Sequence, residues 1–354
     1  MESRKSIVSE PLGLPGFVRL YRCSNPVAFQ VGGATMAVRA VVFSVSFLAF
    51  SVVCVCFAAS DDCPLPSWGC GPAKEAIVDF VERVITKGCP EYVPPEERIA
   101  VFDNDGTLWS EQPAYFQLLF AIDCFKKLLA ENPQLKMEQP CKGVFEGDPE
   151  AIAKLDIREV GKLVMESHAG MPTDQFKDKV RDWLRTARHP KLGRPYNELI
   201  FQPMLELLDY LRKNGFKTYI VSGGSIGFLR AFAEDVYGIP SEQVIGTSVK
   251  TQYEVRDGKP VIVRLAEIEF LNNKSGKPVG INKFIGRRPI AAFGNSDGDL
   301  QMLQWTAAGE GPRFCLIVHH TDDRREWAYE GIRVSADWIR HWTLPKHAAG
   351  SLWT

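Results

Sequence analysis

Four short apolar runs set the frame for this chain: residues 99–102, 218–221, 290–293 and 314–318 show no apolar–polar alternation. A strand with one face in water must alternate, so runs of this kind read as strands covered on both faces. Helical periodicity lies between them. Met204, Leu205, Leu207, Leu208 and Leu211 form one apolar face closed by Gly215, and Phe228, Phe232 and Val236 form another closed by Gly238. A further helical stretch over 73–86 leads into the first strand. Strands that alternate with helices imply parallel βαβ units, hence an α/β fold with a doubly wound parallel sheet. Residues 252–265 alternate around Asp257-Gly258, which predicts a β-hairpin.

Residues 110–200 break that rhythm. Tyr115, Leu118, Leu119, Ile122 and Phe125, then Phe176, Val180, Trp183 and Leu184, have helical spacing with no convincing strand between them. The expected organisation is an α/β core from 61–109 and 201–354, with residues 110–200 as an α-helical insertion. At 354 residues and 45% hydrophobic there is ample material for that core. A net charge of −1, with no basic run interleaved by aromatics, argues against a nucleic-acid partner.

The first 60 residues are of another kind. Residues 40–59, AVVFSVSFLAFSVVCVCFAA, carry no charge and match the roughly 20 residues that span a bilayer. Arg39 precedes the run, Asp61 and Asp62 follow it, and Ala58 and Ser60 occupy the −3 and −1 positions of a cleavage after Ser60. The segment reads as an export signal starting most economically at Met36, with 1–35 as an upstream extension. An uncleaved signal anchor is the alternative, and it would be the chain's one contact with a membrane. An exported chain permits disulfides among Cys63, Cys70, Cys89, Cys124, Cys141 and Cys315, Cys63–Cys70 being one option. Cys124 and Cys315 lie in apolar stretches and read equally well as buried thiols.

Each strand run but the last ends in a polar cluster: Asp103 and Asp105 after the first, Ser222-Gly223-Gly224 after the second, and Gly294-Asn295-Ser296-Asp297-Gly298-Asp299 after the third. Ligands of an open parallel sheet bind outside the carboxyl ends of its strands, so the three clusters should converge. Two carboxylates one residue apart repel each other unless a cation or a shared proton sits between them. Asp103, at the end of its strand, suits a nucleophile that attacks phosphorus. Asp105 suits the acid that protonates the leaving alcohol and the base that then activates water. Asp103, the Asp105 carbonyl, Asn295 and Asp299 make a hard oxygen set suited to Mg²⁺. Ser222 and the Gly223 amide can hold phosphoryl oxygens. Lys277, just before Pro278, would stand at a helix start facing an anion. Lys283 is the alternative for that role.

In this order FDNDGT, VSGGS, Lys277 and GNSDGD resemble the four motifs of the haloacid dehalogenase superfamily, in its phosphoserine-phosphatase-like branch. The resemblance covers about residues 97–320 and implies a Rossmann-like core, a helical cap inserted after the first motif, Mg²⁺, and hydrolysis of a small phosphorylated metabolite. Carried over by position, Asp103 resembles the nucleophile and Asp105 the acid/base. Ser222 resembles the second-motif hydroxyl, Lys277 the third-motif lysine, and Asn295 and Asp299 the metal-side pair. Asp105 argues against the dehalogenases themselves and the P-type ATPases. Asn295 is a departure, because the family usually has Asp there. A phosphotransferase and a non-catalytic phospho-ligand binder are the alternatives on the same scaffold. Asp297, His168, His319, His320, Trp183 and the Arg287-Arg288 pair are read as structural or solvent-facing.

Overall fold

The computed structural model describes residues 64–131, 165, 168–329 and 348–353. The expected export segment lies outside them, as do Cys63, Cys141 and residues 132–164 of the expected insertion. Among the described residues no helix is long and apolar enough to cross a membrane. Of the described cysteines, Cys124 and Cys315 are buried thiols, and Cys70 and Cys89 are also free.

The chain enters through α1 (Pro72–Ile85), started by Pro72 and carrying Glu75 in its first turn and Arg83 in its last, in accord with the helix dipole. Strand β1 (Ile99–Phe102) follows, buried at every position. After it come α2 (Phe116–Glu131), α3 (Thr173–Thr186) and α4 (Gln202–Lys213). Strand β2 (Lys217–Ser225) leads to two short helices, α5 (Ile226–Leu229) and α6 (Ala233–Tyr237). The hairpin β3 (Val244–Arg256) and β4 (Lys259–Phe270) comes next, then α7 (Gly276–Phe284), β5 (Ala291–Gly294), α8 (Leu300–Ala307), β6 (Arg313–Val318) and β7 (Ala348–Trp353).

The seven strands form one sheet in the order β4-β3-β2-β1-β5-β6-β7, parallel except for the antiparallel β3–β4 pair. Residues of β1 alternate between two cores. Ala100 and Phe102 join the larger one, with Phe80 of α1, Leu207 of α4 and Phe314; Ile99 and Val101 join the smaller one, with Ile281 of α7 and Met302 of α8. Phe102 stacks on Phe293 of the neighbouring strand, with centroids 4.3 Å apart. Helices on both faces explain why none of the four apolar runs alternates.

Two elements differ from the expected pattern. The single helix expected across Phe228, Phe232 and Val236 is two helices: the Ala231 and Phe232 amides bond three residues back, to Phe228 and Leu229, and the Ala231 carbonyl accepts from Arg181 Nε of α3 at 2.8 Å. The hairpin turns at Asp257-Gly258 as expected, with φ of 50° and 73°, the pair of positive values a two-residue turn requires. Its strands, however, run well beyond 252–265, because β3 enters as a parallel partner of β2 before the hairpin begins.

Candidate active site

The sheet order reverses at β1: the chain moves outward through β2, β3 and β4, then returns to β5 on the other side of β1. A crevice opens at such a switch point. Asp103 stands directly beyond β1, its amide bonded to the Phe293 carbonyl of β5 at 2.9 Å. The chain then wraps on itself, the Asn104 carbonyl accepting from the amides of Thr107, Leu108 and Trp109. Trp109 is buried, stacks on Phe232 at 4.5 Å, and donates Nε1 to Asp105 Oδ1 at 2.7 Å. Gly106 has φ +73°, and a Cβ there would strike the Asn295 amide. Gly106→Ala is therefore expected to cost about 2 kcal/mol of stability, and activity with it, from backbone strain and from the displaced Asn295. Urea unfolding beside kinetics checks this.

Lys277 enters from the first turn of α7 and is almost fully buried. Its Nζ donates to Asp103 Oδ1 at 2.6 Å and to Asp299 Oδ1 at 2.5 Å. Burial, and next the Asp299 carboxylate, push Asp103 well above the usual carboxylate range, with Lys277 pulling back. Burial alone would lower the Lys277 ammonium, but the two carboxylates outweigh it and hold it above its ordinary value. Lys283 is exposed, its Nζ over the Phe270 and Phe284 rings at 5.5 Å and 5.3 Å.

Asp299 caps its own loop, Oδ2 accepting from the amides of Asn295 and Ser296 at 3.0 Å each. Asn295 is buried, with Oδ1 accepting from Thr107 Oγ1 at 3.2 Å and Nδ2 donating to Glu111 Oε1 at 3.0 Å. Asp297 is exposed at the rim. Among the described residues no three Asp, Glu, His or Cys side chains gather as a metal site.

Ser222 is buried at the far end of β2, and its Oγ accepts from the Gly224 amide at 3.0 Å, which leaves the hydroxyl proton for a ligand. Three side chains outside the motif hold its backbone. Thr247 Oγ1 donates to the Gly223 carbonyl at 2.7 Å, Asn272 Nδ2 to the Ser222 carbonyl at 2.9 Å, and the Ser225 amide donates to Gln117 Oε1 at 2.7 Å.

The structure adds two groups that the sequence did not single out or read as part of the site. Glu111 lines the cavity, and burial, opposed by a Tyr329 hydrogen bond, raises its carboxyl to about 7. Only the tertiary fold puts it against Asn295; the sequence signal is a lone acid eight residues after Asp103. His320 is buried beside the first-motif turn, Nε2 on the Gly106 carbonyl at 2.7 Å and Nδ1 on Glu326 Oε1 at 3.0 Å. A carbonyl and a carboxylate both accept, so the pair of contacts favours the ring with both nitrogens protonated. Burial opposes that charge, but Glu326 outweighs burial and raises the pKa. A raised histidine stabilises the fold fully below its unfolded value and loses that contribution as pH rises through its folded value. The stability gap between the wild type and His320→Gln is thus expected to be widest below about pH 6.5 and to shrink in alkali. Urea titrations across pH read it.

Other polar candidates are structural. His168 stacks on Phe120 at 5.1 Å, and Trp183 stacks on Tyr196 at 4.6 Å and donates to Asp123. Arg287 is exposed. Arg288 departs from its solvent-facing reading: it is half-buried over Trp305, 4.8 Å from the ring centroid, and donates to that residue's carbonyl.

Asp103, Asp105, Ser222, Gly223 and Lys277 thus meet at one cavity of about 350 Å³, with Asn295 and Asp299 packed beside it. A doubly wound sheet with paired aspartates, a buried lysine and a Ser-Gly-Gly turn at its switch point defines a class of hydrolase. Residues 100–304 match the family model described as haloacid dehalogenase-like hydrolase, and the chain belongs to that family. No curated protein matches the chain. Among solved structures, it resembles a conserved protein of unknown function from Anaerococcus prevotii at 18% identity, covering 71% of this chain and 86% of that one, with a TM-score of 0.46. A phosphoserine phosphohydrolase-like protein from Francisella tularensis matches at 17% identity, 69% and 98% coverage and TM-score 0.36. A probable phosphoserine phosphatase from Vibrio cholerae matches at 15%, 68% and 63%, and 0.36.

Proposed function

We propose that this hydrolase is a Mg²⁺-dependent phosphatase that cleaves small phosphomonoesters through an aspartyl-phosphate on Asp103. The observation that carries this reading is the state of Asp103. Its Oδ1 is fixed by Lys277 and its Oδ2 takes no bond from any described residue, so one carboxylate oxygen is oriented and the other is left for chemistry. Attack by that oxygen on phosphorus forms the acyl phosphate and breaks the bond from phosphorus to the ester oxygen. Asp105, which burial raises against the pull of Trp109, gives the departing alkoxide a proton and then takes one from the water that attacks the phosphoenzyme. Phosphate leaves and Asp103 is regenerated. Ser222 Oγ–H, the Gly223 amide and the Lys277 ammonium bind the charge that builds on the phosphoryl oxygens.

The donor chemistry fits Mg²⁺. The Asp103 carboxylate, the Asn295 amide oxygen, the Asp105 carbonyl and Asp299 would hold it as hard oxygen ligands. When bound, the ion supplies charge neutralisation between the carboxylates and the phosphoryl group. Helices α2 and α3 would form part of the cap that closes over the leaving group. Export is proposed on the apolar run at 40–59, with a mature chain beginning near Asp61; mass-spectrometric mapping of the N-terminus decides between cleavage and anchoring.

The test is turnover of p-nitrophenyl phosphate. Hydrolysis that EDTA abolishes and Mg²⁺ restores is expected; hydrolysis indifferent to EDTA would contradict the metal, and no turnover of any phosphomonoester would contradict the function. Asn295→Asp should tighten Mg²⁺ binding in the absence of substrate, read by calorimetry, because it adds a carboxylate to the set.

A further inference from the structure

Among the described residues two arginines are buried, and they differ in one respect. Arg98 satisfies its guanidinium on carbonyls, Nε on Val93 at 2.8 Å and Nη1 on Asn214 at 3.0 Å. Arg264, on β4, is 4% exposed, and its Nε and Nη2 have no hydrogen-bond partner among the described residues. Nε and Nη2 are sealed from solvent and unbonded. The guanidinium lies over the Phe176 ring of α3, 3.9 Å from its centroid, and Nη1 lies against Gly227. Burial lowers its pKa to about 10. A ring face compensates part of the cost of a buried cation, but a buried charge ordinarily needs an anion.

Arg264 lines the same cavity as Asp103, Asp105 and Ser222. Lys277 already serves the nucleophile, and the Ser222–Gly224 turn supplies donors for the phosphoryl group. Arg264 stands instead where β4 and α5 meet Phe176 of α3, between the core and the helices inserted after β1. Val249, Ile268 and Leu271 add an apolar part to the lining of that cavity.

We propose that Arg264 is a specificity residue that binds a second anionic group, carboxylate or phosphate, on the leaving-group side of the substrate. This rests on the phosphomonoester reading above and narrows it to phosphorylated acids and bisphosphates. An uncharged leaving group would keep the guanidinium unpaired in the complex, whereas an anion placed there gains a charge-assisted bond in a site already stripped of water. A site of this kind discriminates strongly, because a ligand without the anion leaves its buried partner unsatisfied.

Two matched pairs test it: phosphoglycolate against ethyl phosphate for a carboxylate, and propane-1,3-diol bisphosphate against propyl phosphate for a second phosphate. In the wild type, kcat/KM should favour the dianionic-plus member of at least one pair by about 100-fold, and Arg264→Met should bring that ratio close to one. Arg264→Lys, which keeps the charge, should retain part of the preference. Arg264→Met should also unfold at a higher temperature than the wild type without ligand, since it removes a buried charge that no described residue answers with a hydrogen bond. Dissociation constants for the same pairs, measured by calorimetry in an Asp103→Asn background, read the anion site apart from the chemistry. A preference in binding without turnover in the wild type would sink the phosphatase reading and leave Arg264 its role. Turnover with a ratio near one in both pairs, or an Arg264→Met variant that loses equally on both members, would overturn the assignment; the second result would move Arg264 to the phosphoryl group itself.

Discussion

Asp103→Asn is expected to lower turnover by about 10⁴-fold or more while the protein stays folded. An amide oxygen is a poor nucleophile at phosphorus, and nothing else in the cavity is placed to replace it: Asp105 is tied to Trp109, and Asp299 to Lys277 and its own loop. The fold should tolerate the change. Asp103 and Asp299 share one buried ammonium, and the repulsion between them helps to push Asp103 well above its ordinary range. Removing one of the two charges relieves that burden, and the amide oxygen still accepts from Lys277. Stability equal to or above the wild type, with turnover lost, is the expected pair of results from urea unfolding and steady-state kinetics. Asp105→Asn should be nearly as slow, but with phosphoenzyme accumulating wherever the leaving group departs without help from an acid.

Lys277→Met is expected to fail in both respects. The ammonium is the shared partner of two carboxylates, with side chains 2%, 9% and 0% exposed for Lys277, Asp103 and Asp299. Removing one member of a buried ionic cluster leaves the others uncompensated, at a cost of about 3–5 kcal/mol. Proton uptake by Asp103 would recover part of that cost but would also silence the nucleophile. Activity should fall by about 10³-fold, the scale for losing one preorganised donor at a site of developing charge. Lys283→Ala is the control. It is exposed over two rings, and its loss should stay within about 0.5 kcal/mol with kinetics unchanged. The opposite ranking of the two lysines would place the phosphate-side cation elsewhere.

The sheet was legible in the sequence because its strands are buried on both faces. Four apolar runs gave β1 with the same ends, and β2, β5 and β6 with ends displaced by one residue or by a few. Strand β7 was not legible: AAGSLW, with two small residues and a Gly, carries no strand signal of its own and is a strand only through β6. The convergence of Asp103, Ser222 and the Asn295–Asp299 loop followed from topology, since residues at the carboxyl ends of neighbouring parallel strands meet wherever they sit in the chain. What stayed hidden acts through tertiary contacts. Thr247 and Asn272 are ordinary polar residues in sequence and matter because each bonds the backbone of the Ser222–Gly223 turn. His320 read as a structural histidine and is one, but the carbonyl it holds belongs to Gly106, 214 positions earlier. Arg264 lies in an alternating hairpin that signals nothing about a missing partner.

The account turns on a covalent bond between phosphorus and Asp103, and one measurement reads that bond. Enzyme quenched during turnover of a phosphomonoester is reduced with borohydride, which converts an aspartyl-phosphate to homoserine, and the peptide that contains FDNDGT is then sequenced by mass spectrometry. The predicted result is homoserine at position 103, absent from Asp103→Asn and from enzyme quenched without substrate. An unmodified Asp103 in enzyme caught at full turnover, or homoserine at another aspartate, would contradict it.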